Sequence, residues 1–265
     1  MPPGEAPGDP ATAAGAQAIA ALYAYPDRPR PWVRANMISS ADGAAALDGR
    51  SGGLSGRADR AVFAVLRSLA DVIMVGASTA RTERYRQVRA REVWPALRGG
   101  RPPTPPIAVV SRGLSLDPAD PLLAGEPGLA PTIVLTTSSA PAGRLESLRG
   151  KARVLTAGEA SVQPAAAVEA LGRLGYRRIL AEGGPGLLGQ LAGAGLLDEL
   201  CLTISPVLAG GEAGRIVTAG GIRPGGPDPA LPAGMTLAHV LEDEGYLLCR
   251  YVRQAEPHDA KPGQG

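Results

Sequence analysis

A chain of 265 residues has room for one well-buried α/β domain or two small ones, and its 45% hydrophobic and 20% charged residues are those of an ordinary globular protein. A net charge of +2, from 27 basic and 25 acidic residues spread along the chain, excludes the concentrated basic patch of a nucleic-acid binder. No apolar run reaches the ~20 residues of a membrane-spanning helix, and residues 1–17 lack the basic segment of a signal peptide, so no membrane role and a cytoplasmic location are expected.

Aromatic residues make up only 3% of the chain, so the core must come from Ala, Val, Leu and Ile, which suits a parallel sheet between helices. Residues 1–29 read as a disordered or loosely packed lead-in, with a short helical or extended piece over 18–25 closed by Pro26 and Pro31. Residues 33–38 predict a first strand, ending in the turn composition Ser39-Ser40-Ala41-Asp42-Gly43. The Gly- and Ser-rich stretch 49–56 has little side chain to pin it and predicts a mobile cover. Val62, Phe63, Leu66 and Leu69 form a helical stripe over 59–69. A buried strand over 71–76 follows, then, past an Arg- and Pro-rich loop, strands over 107–111, 132–136 and 154–155. A helix over 165–174, a strand over 178–182, a helix over 184–194 and a strand over 200–206 come next. Residues 235–241 and 246–253 predict a hairpin around Asp243-Glu244-Gly245. The order predicts a single α/β domain over 30–253: a mostly parallel central sheet with helices on both faces, ending in an antiparallel C-terminal hairpin. Residues 254–265 read as a disordered tail.

Cys201 and Cys249 lie in apolar runs and read as buried thiols rather than a disulfide or metal pair, and two histidines are too few for a zinc site. The strand Cys201-Leu202-Thr203-Ile204 and the hairpin are more apolar than an exposed edge should be, which predicts a homodimer interface. Three strand ends carry chemistry. Ala181-Glu182-Gly183-Gly184-Pro185-Gly186 joins a strand to a helix, where glycines admit a pyrophosphate and the helix N-terminus attracts it; steric need alone also places glycines in such turns. Gly76-Ala77-Ser78-Thr79 stands at a second such junction, although taken alone it fits a capped helix start better. Two such sites on one sheet favour a dinucleotide. Ser111 and Arg112 offer a hydroxyl and a guanidinium suited to the 2′-phosphate that separates NADPH from NADH, and fit an ordinary solvated strand end equally.

The run Met37-Ile38-Ser39-Ser40-Ala41-Asp42-Gly43, then Leu66-Arg67 and residues 70–79, then Glu182-Gly183-Gly184-Pro185 through Leu197-Asp198-Glu199-Leu200 to Ser205-Pro206, resembles the reductase domain of the riboflavin-biosynthesis deaminase/reductases. The likeness spans residues 31–253 and is strong for a stand-alone actinobacterial branch without a fused deaminase. The chain lacks the H-x-E and P-C-x-x-C zinc signatures, leaving only the reductive step. The resemblance implies a dihydrofolate-reductase-like fold, NADPH as cofactor and a dimer. It places the backbone at Ile38 against the nicotinamide and gives Gly76, Thr79 and Glu83 cofactor contacts. Gly183, Gly184, Pro185, Gly186, Leu187 and Leu188 would hold the pyrophosphate, with the Gly183–Gly184 bond cis. Glu182 and Arg67 fall on the substrate side, Arg67 taking the substrate's phosphate. Asp42 fits the family's turn and reads as structural. Asp59 stands where dihydrofolate reductases place the acid that anchors the pterin, a substrate-binding and catalytic role that this family does not generally need; a helix N-cap is the plainer account. The activity implied is hydride transfer from NADPH to C1′ of 5-amino-6-(5-phosphoribosylamino)uracil. Reduction of a pterin such as dihydrofolate, and nucleotide binding without catalysis, are the alternatives.

Overall fold

The computed structural model describes residues 12–218 and 233–254; the expectations for residues 1–11 and for the tail beyond 254 lie outside them. The strands are β1 (Trp32–Ser40), β2 (Val72–Gly76), β3 (Ile107–Val110), β4 (Ile133–Thr136), β5 (Arg153–Thr156), β6 (Arg178–Ala181), β7 (Glu199–Ser205), β8 (Met235–Asp243) and β9 (Tyr246–Arg253). Each predicted strand is present. Among the described residues they form one sheet in the order β5-β4-β3-β2-β6-β1-β7-β9-β8. It is parallel from β5 to β7, and antiparallel where β9 joins β7 and β8 joins β9. The hairpin turns through Glu244 and Gly245, both at positive φ, as the tight turn between two right-twisted strands requires.

Both faces of the sheet are buried, so its central strands are apolar at nearly every position. In β2, Ile73 and Val75 face one core while Val72 and Met74 face the other. The first core is covered by α1 (Ala13–Leu22), α2 (Arg57–Leu69) and α3 (Ala77–Thr82). The second lies under α5 (Pro164–Arg173) and α6 (Pro185–Gly193); a short α4 (Ala142–Ser147), which the sequence pattern did not reveal, joins β4 to β5.

The lead-in is corrected in its described part. Instead of loose chain, residues 13–22 form α1, capped by the Thr12 hydroxyl accepting from the Gly15 N–H at 3.1 Å. Ala16, Ile19 and Tyr23 are buried with Val62, Val65 and Leu66 of α2, so the segment is part of the core. Register along β1, β7 and β9 is fixed by a buried charge network. Arg34 lies opposite Glu199 in the β1–β7 pairing, with an ion pair at 2.7 Å, and Arg250 of β9 donates to the same carboxylate at 2.8 Å. Slipping either strand by one residue would strand these charges on the wrong face.

Candidate active site

The chain runs outward from β2 to β5 and then returns to insert β6 between β2 and β1. That reversal opens a crevice at the carboxyl ends of the strands, the place where open α/β sheets bind ligands. A cleft of about 590 Å³ lies there, within the range of small-molecule sites.

Its floor is Asn36, Met37 and Ile38 of β1. One wall is built from two strand-to-helix turns that lock together: the Gly76 N–H donates to the Gly183 carbonyl at 2.9 Å, and Thr79 lies against Gly184 so closely that a Cβ there would collide with its hydroxyl. Gly183 has φ +81°, and the Gly183–Gly184 bond is cis. Gly184 caps α6 and Pro185 opens it, leaving the first-turn N–H groups of Gly186 and Leu187 without intrahelical partners. Leu187 and Leu188 are buried in the second core, and the Leu188 N–H is already bonded to the Gly184 carbonyl at 3.0 Å. Neither leucine side chain, nor the Leu188 N–H, is available to a phosphate, which corrects the expectation for residue 188.

The opposite wall is the start of α2 with the loop before it. Asp59 lines the cleft, but Gly56, not Asp59, is the N-cap. Asp59 stands three positions into the helix, where a carboxylate meets the positive end of the dipole, and accepts from the Ser55 hydroxyl at 2.6 Å. The Gly-rich cover is held by Glu83, whose Oε1 accepts from both the N–H and the hydroxyl of Ser51, at 2.8 and 3.0 Å. Its Leu54 is fully buried, so this segment is pinned at two points rather than hanging free.

Arg67 requires a correction, whereas Glu182 lines the cleft. Arg67 donates to both oxygens of Glu182 at 2.7 Å, stacks its guanidinium 4.3 Å from the Phe63 ring, and does not line the cleft. Tyr85 adds a third hydrogen bond to Glu182 at 2.7 Å. Burial and the neighbouring Glu182 carboxylate push the Tyr85 hydroxyl well above its ordinary pKa, keeping it a donor. Each Glu182 oxygen is therefore engaged, and Arg67 is not free to take a phosphate. Sequence reasoning missed the guanidiniums that do line the cleft, Arg60 and Arg215. Arg215 arrives with residues 214–218, a segment tied in by the Gly214 carbonyl accepting from Ala45 and the Thr218 N–H donating to Pro185.

Ser111 and Arg112 stand at the end of β3, outside the cleft. Ser111 is buried with its hydroxyl accepting from the Ser115 N–H at 3.2 Å, whereas Arg112 is exposed. Asp42 is a structural bolt: it accepts from the Ser40 hydroxyl and from the N–H groups of Ala209 and Gly210, which hold its carboxyl down at about 2. Among the described residues no cluster of three or more His, Cys, Asp or Glu could hold a metal, and no helix is long and apolar enough to cross a membrane.

Comparisons with known proteins bear on the family and the fold. The model of the RibD C-terminal domain family matches residues 31–244. A 2,5-diamino-6-ribosylamino-4(3H)-pyrimidinone 5′-phosphate reductase of Methanothermobacter thermautotrophicus is 30% identical over 191 residues, covering 72% of this chain and 85% of the relative. A protein of the same name from Archaeoglobus fulgidus is 30% identical over 194 residues, 72% of this chain and 87% of the relative. Among solved structures, a pyrimidine reductase-like protein of Corynebacterium diphtheriae has a TM-score of 0.73 at 28% identity, covering 85% of this chain and 93% of that one.

Proposed function

The chain belongs to the RibD C-terminal domain family, and from that premise we propose that it is an NADPH-dependent reductase of a phosphoribosylamino-pyrimidine in riboflavin biosynthesis. The observation that carries this reading is the cleft itself, which is bordered by the start of α6, by the Asp59 carboxylate and by β1. NADPH, when bound, supplies a hydride from its nicotinamide. The chain's own part is binding and orientation. The Gly186 and Leu187 N–H groups and the dipole of α6 attract the pyrophosphate, Gly184 gives it close approach, and the backbone at Ile38 borders the nicotinamide. Arg112, exposed beyond the cleft, takes the 2′-phosphate. Arg60 and Arg215 take the substrate's phosphate in place of Arg67.

Asp59 refines the substrate. A carboxylate accepts hydrogen bonds, so it favours a ring edge that donates them. A 2-amino-4-pyrimidinone presents an amino group at C2; a uracil presents a carbonyl there, which would face the carboxylate acceptor to acceptor. Both curated relatives are named for the diaminopyrimidinone, so that compound is assigned ahead of the uracil, and the pyrimidine ahead of a pterin or a non-catalytic role. The test is NADPH oxidation with the diaminopyrimidinone phosphate, the uracil phosphate and dihydrofolate side by side. The first should turn over fastest, and Asp59→Asn should narrow its lead over the second. Absence of turnover with both pyrimidines would overturn the assignment.

A further inference from the structure

A second cleft, of about 540 Å³, opens at the opposite end of the sheet, where β2, β6 and β1 begin. Its walls carry five guanidiniums, those of Arg28, Arg30, Arg101, Arg177 and Arg178, against the two carboxylates of Asp27 and Asp71. Most of these charges have structural work. Arg30 is paired with Asp198 at 2.6 Å. Arg101 binds main-chain carbonyls, among them Ser68 at the end of α2 at 3.1 Å and Leu97 in the following loop at 2.6 Å. Arg177 donates to the Pro29 carbonyl, and Asp71 accepts from the N–H groups of Arg177 and Arg178. The side chains of Arg28 and Arg178 remain. Among the described residues Arg28 has no hydrogen bond or ion pair, and the Arg178 guanidinium has only the Tyr25 ring, 6.0 Å away.

Two further features point to a ligand. Tyr25 and Trp32 bring aromatic rings to this cleft, and the Tyr25 hydroxyl is buried without a hydrogen-bond partner, a condition that native interiors resolve with water or a ligand. The cations also repel one another. Within the cleft, Arg101 is lowered by burial and then by Arg178. An anion would relieve that repulsion.

We propose that this second cleft binds a small phosphorylated planar molecule of mononucleotide size, its ring against Tyr25 and Trp32 and its phosphate on Arg28 and Arg178. The chemistry is that of rings stacking on aromatic and guanidinium planes, with charge-assisted hydrogen bonds to the phosphate. The site is separate from the reductase cleft: β1 runs from Trp32 in one to Ile38 in the other, six residues or ~20 Å apart. A ligand here would not compete with cofactor or substrate.

The test is titration calorimetry of the full chain with adenosine, guanosine and uridine 5′-monophosphates, with and without excess NADPH, beside adenosine and inorganic phosphate as part-ligands. At least one nucleotide should bind in both conditions, at least tenfold more tightly than either part. Arg28→Glu with Arg178→Glu should weaken it at least tenfold while kcat and KM for reduction stay unchanged. Should the double variant fold poorly, Arg28→Glu alone, on an exposed side chain, must still weaken binding severalfold. The proposal is overturned if none of the three nucleotides binds, if NADPH displaces them, or if charge reversal leaves affinity intact. Because the substitutions locate the site by themselves, failure of the cofactor assignment would not disturb this outcome.

Discussion

A methyl group on Gly184 would meet the Thr79 hydroxyl, so the smallest possible change at this position forces apart the two turns that form one wall of the cleft. Gly184→Ala is expected to weaken NADPH at least tenfold by fluorescence titration. Adding Thr79→Ala removes the colliding oxygen and leaves its Cβ at an ordinary 3.6 Å, so the double variant should recover most of the affinity. If the double variant binds no better than the single, the collision is not the cause. Asp42 acts at the same scale through its charge. Its carboxyl sits at about 2, below the ordinary 3.8, because one hydroxyl and two backbone N–H groups bond its ionised form. A depressed pKa contributes stability above the ordinary value that is lost as pH falls through the folded one. Thermal melts should therefore show the native chain losing its advantage over Asp42→Asn between pH 4 and 2. A constant gap across that window would mean the carboxylate is not what joins this turn to residues 209–210.

At the scale of elements, α2 is held to β6 by the buried Arg67–Glu182 pair, 115 positions apart in sequence. Truncating one partner leaves the other charge in the interior, so Arg67→Ala should cost about 3–5 kcal/mol in urea unfolding. Arg67→Met with Glu182→Gln removes both charges and should cost far less; equal losses would show that packing on Phe63, not the ion pair, is what matters. This pair also marks where the sequence stopped being legible. Strand positions follow from apolar runs, and the strand-to-helix turns at 76–79 and 183–186, which border the cleft, follow from local composition at strand ends. Pairing across 115 residues leaves no local trace, so the sequence does not show that Arg67 is spent on Glu182. Residues 13–22 misled for a related reason. An Ala- and Gly-rich segment without charges looks like floppy chain until α2 supplies the surface that buries Ala16 and Ile19. Arg215 carried no signal at all, since only the return of its loop onto Ala45 brings it to the site.

The whole molecule is a sheet whose helices cover its two faces unequally. Beyond β1, the extension β7-β9-β8 packs Cys201, Leu248 and Leu241 toward α1 and α2. Its other face carries Leu202 and Ile204 of β7, Leu247 of β9 and Val240 of β8, and among the described residues no helix joins these side chains to a core. The expected interface is therefore revised: β7 lies inside the sheet, Cys201 points into the core, and it is the alternate residues of β7, together with the hairpin, that face outward. Val240 is 44% exposed and Leu247 39%, close together across the β8–β9 pairing, and β8 is the edge strand among the described residues. A second copy offering the same face would bury both patches at once, as two-fold symmetry demands. Light scattering at micromolar concentration should give twice the 26.9 kDa chain mass. Val240→Glu with Leu247→Glu places two carboxylates on each copy at that contact and should yield a monomer with unchanged circular dichroism. A native chain that scatters as a monomer, or a variant that remains a dimer, would put the contact elsewhere or remove it.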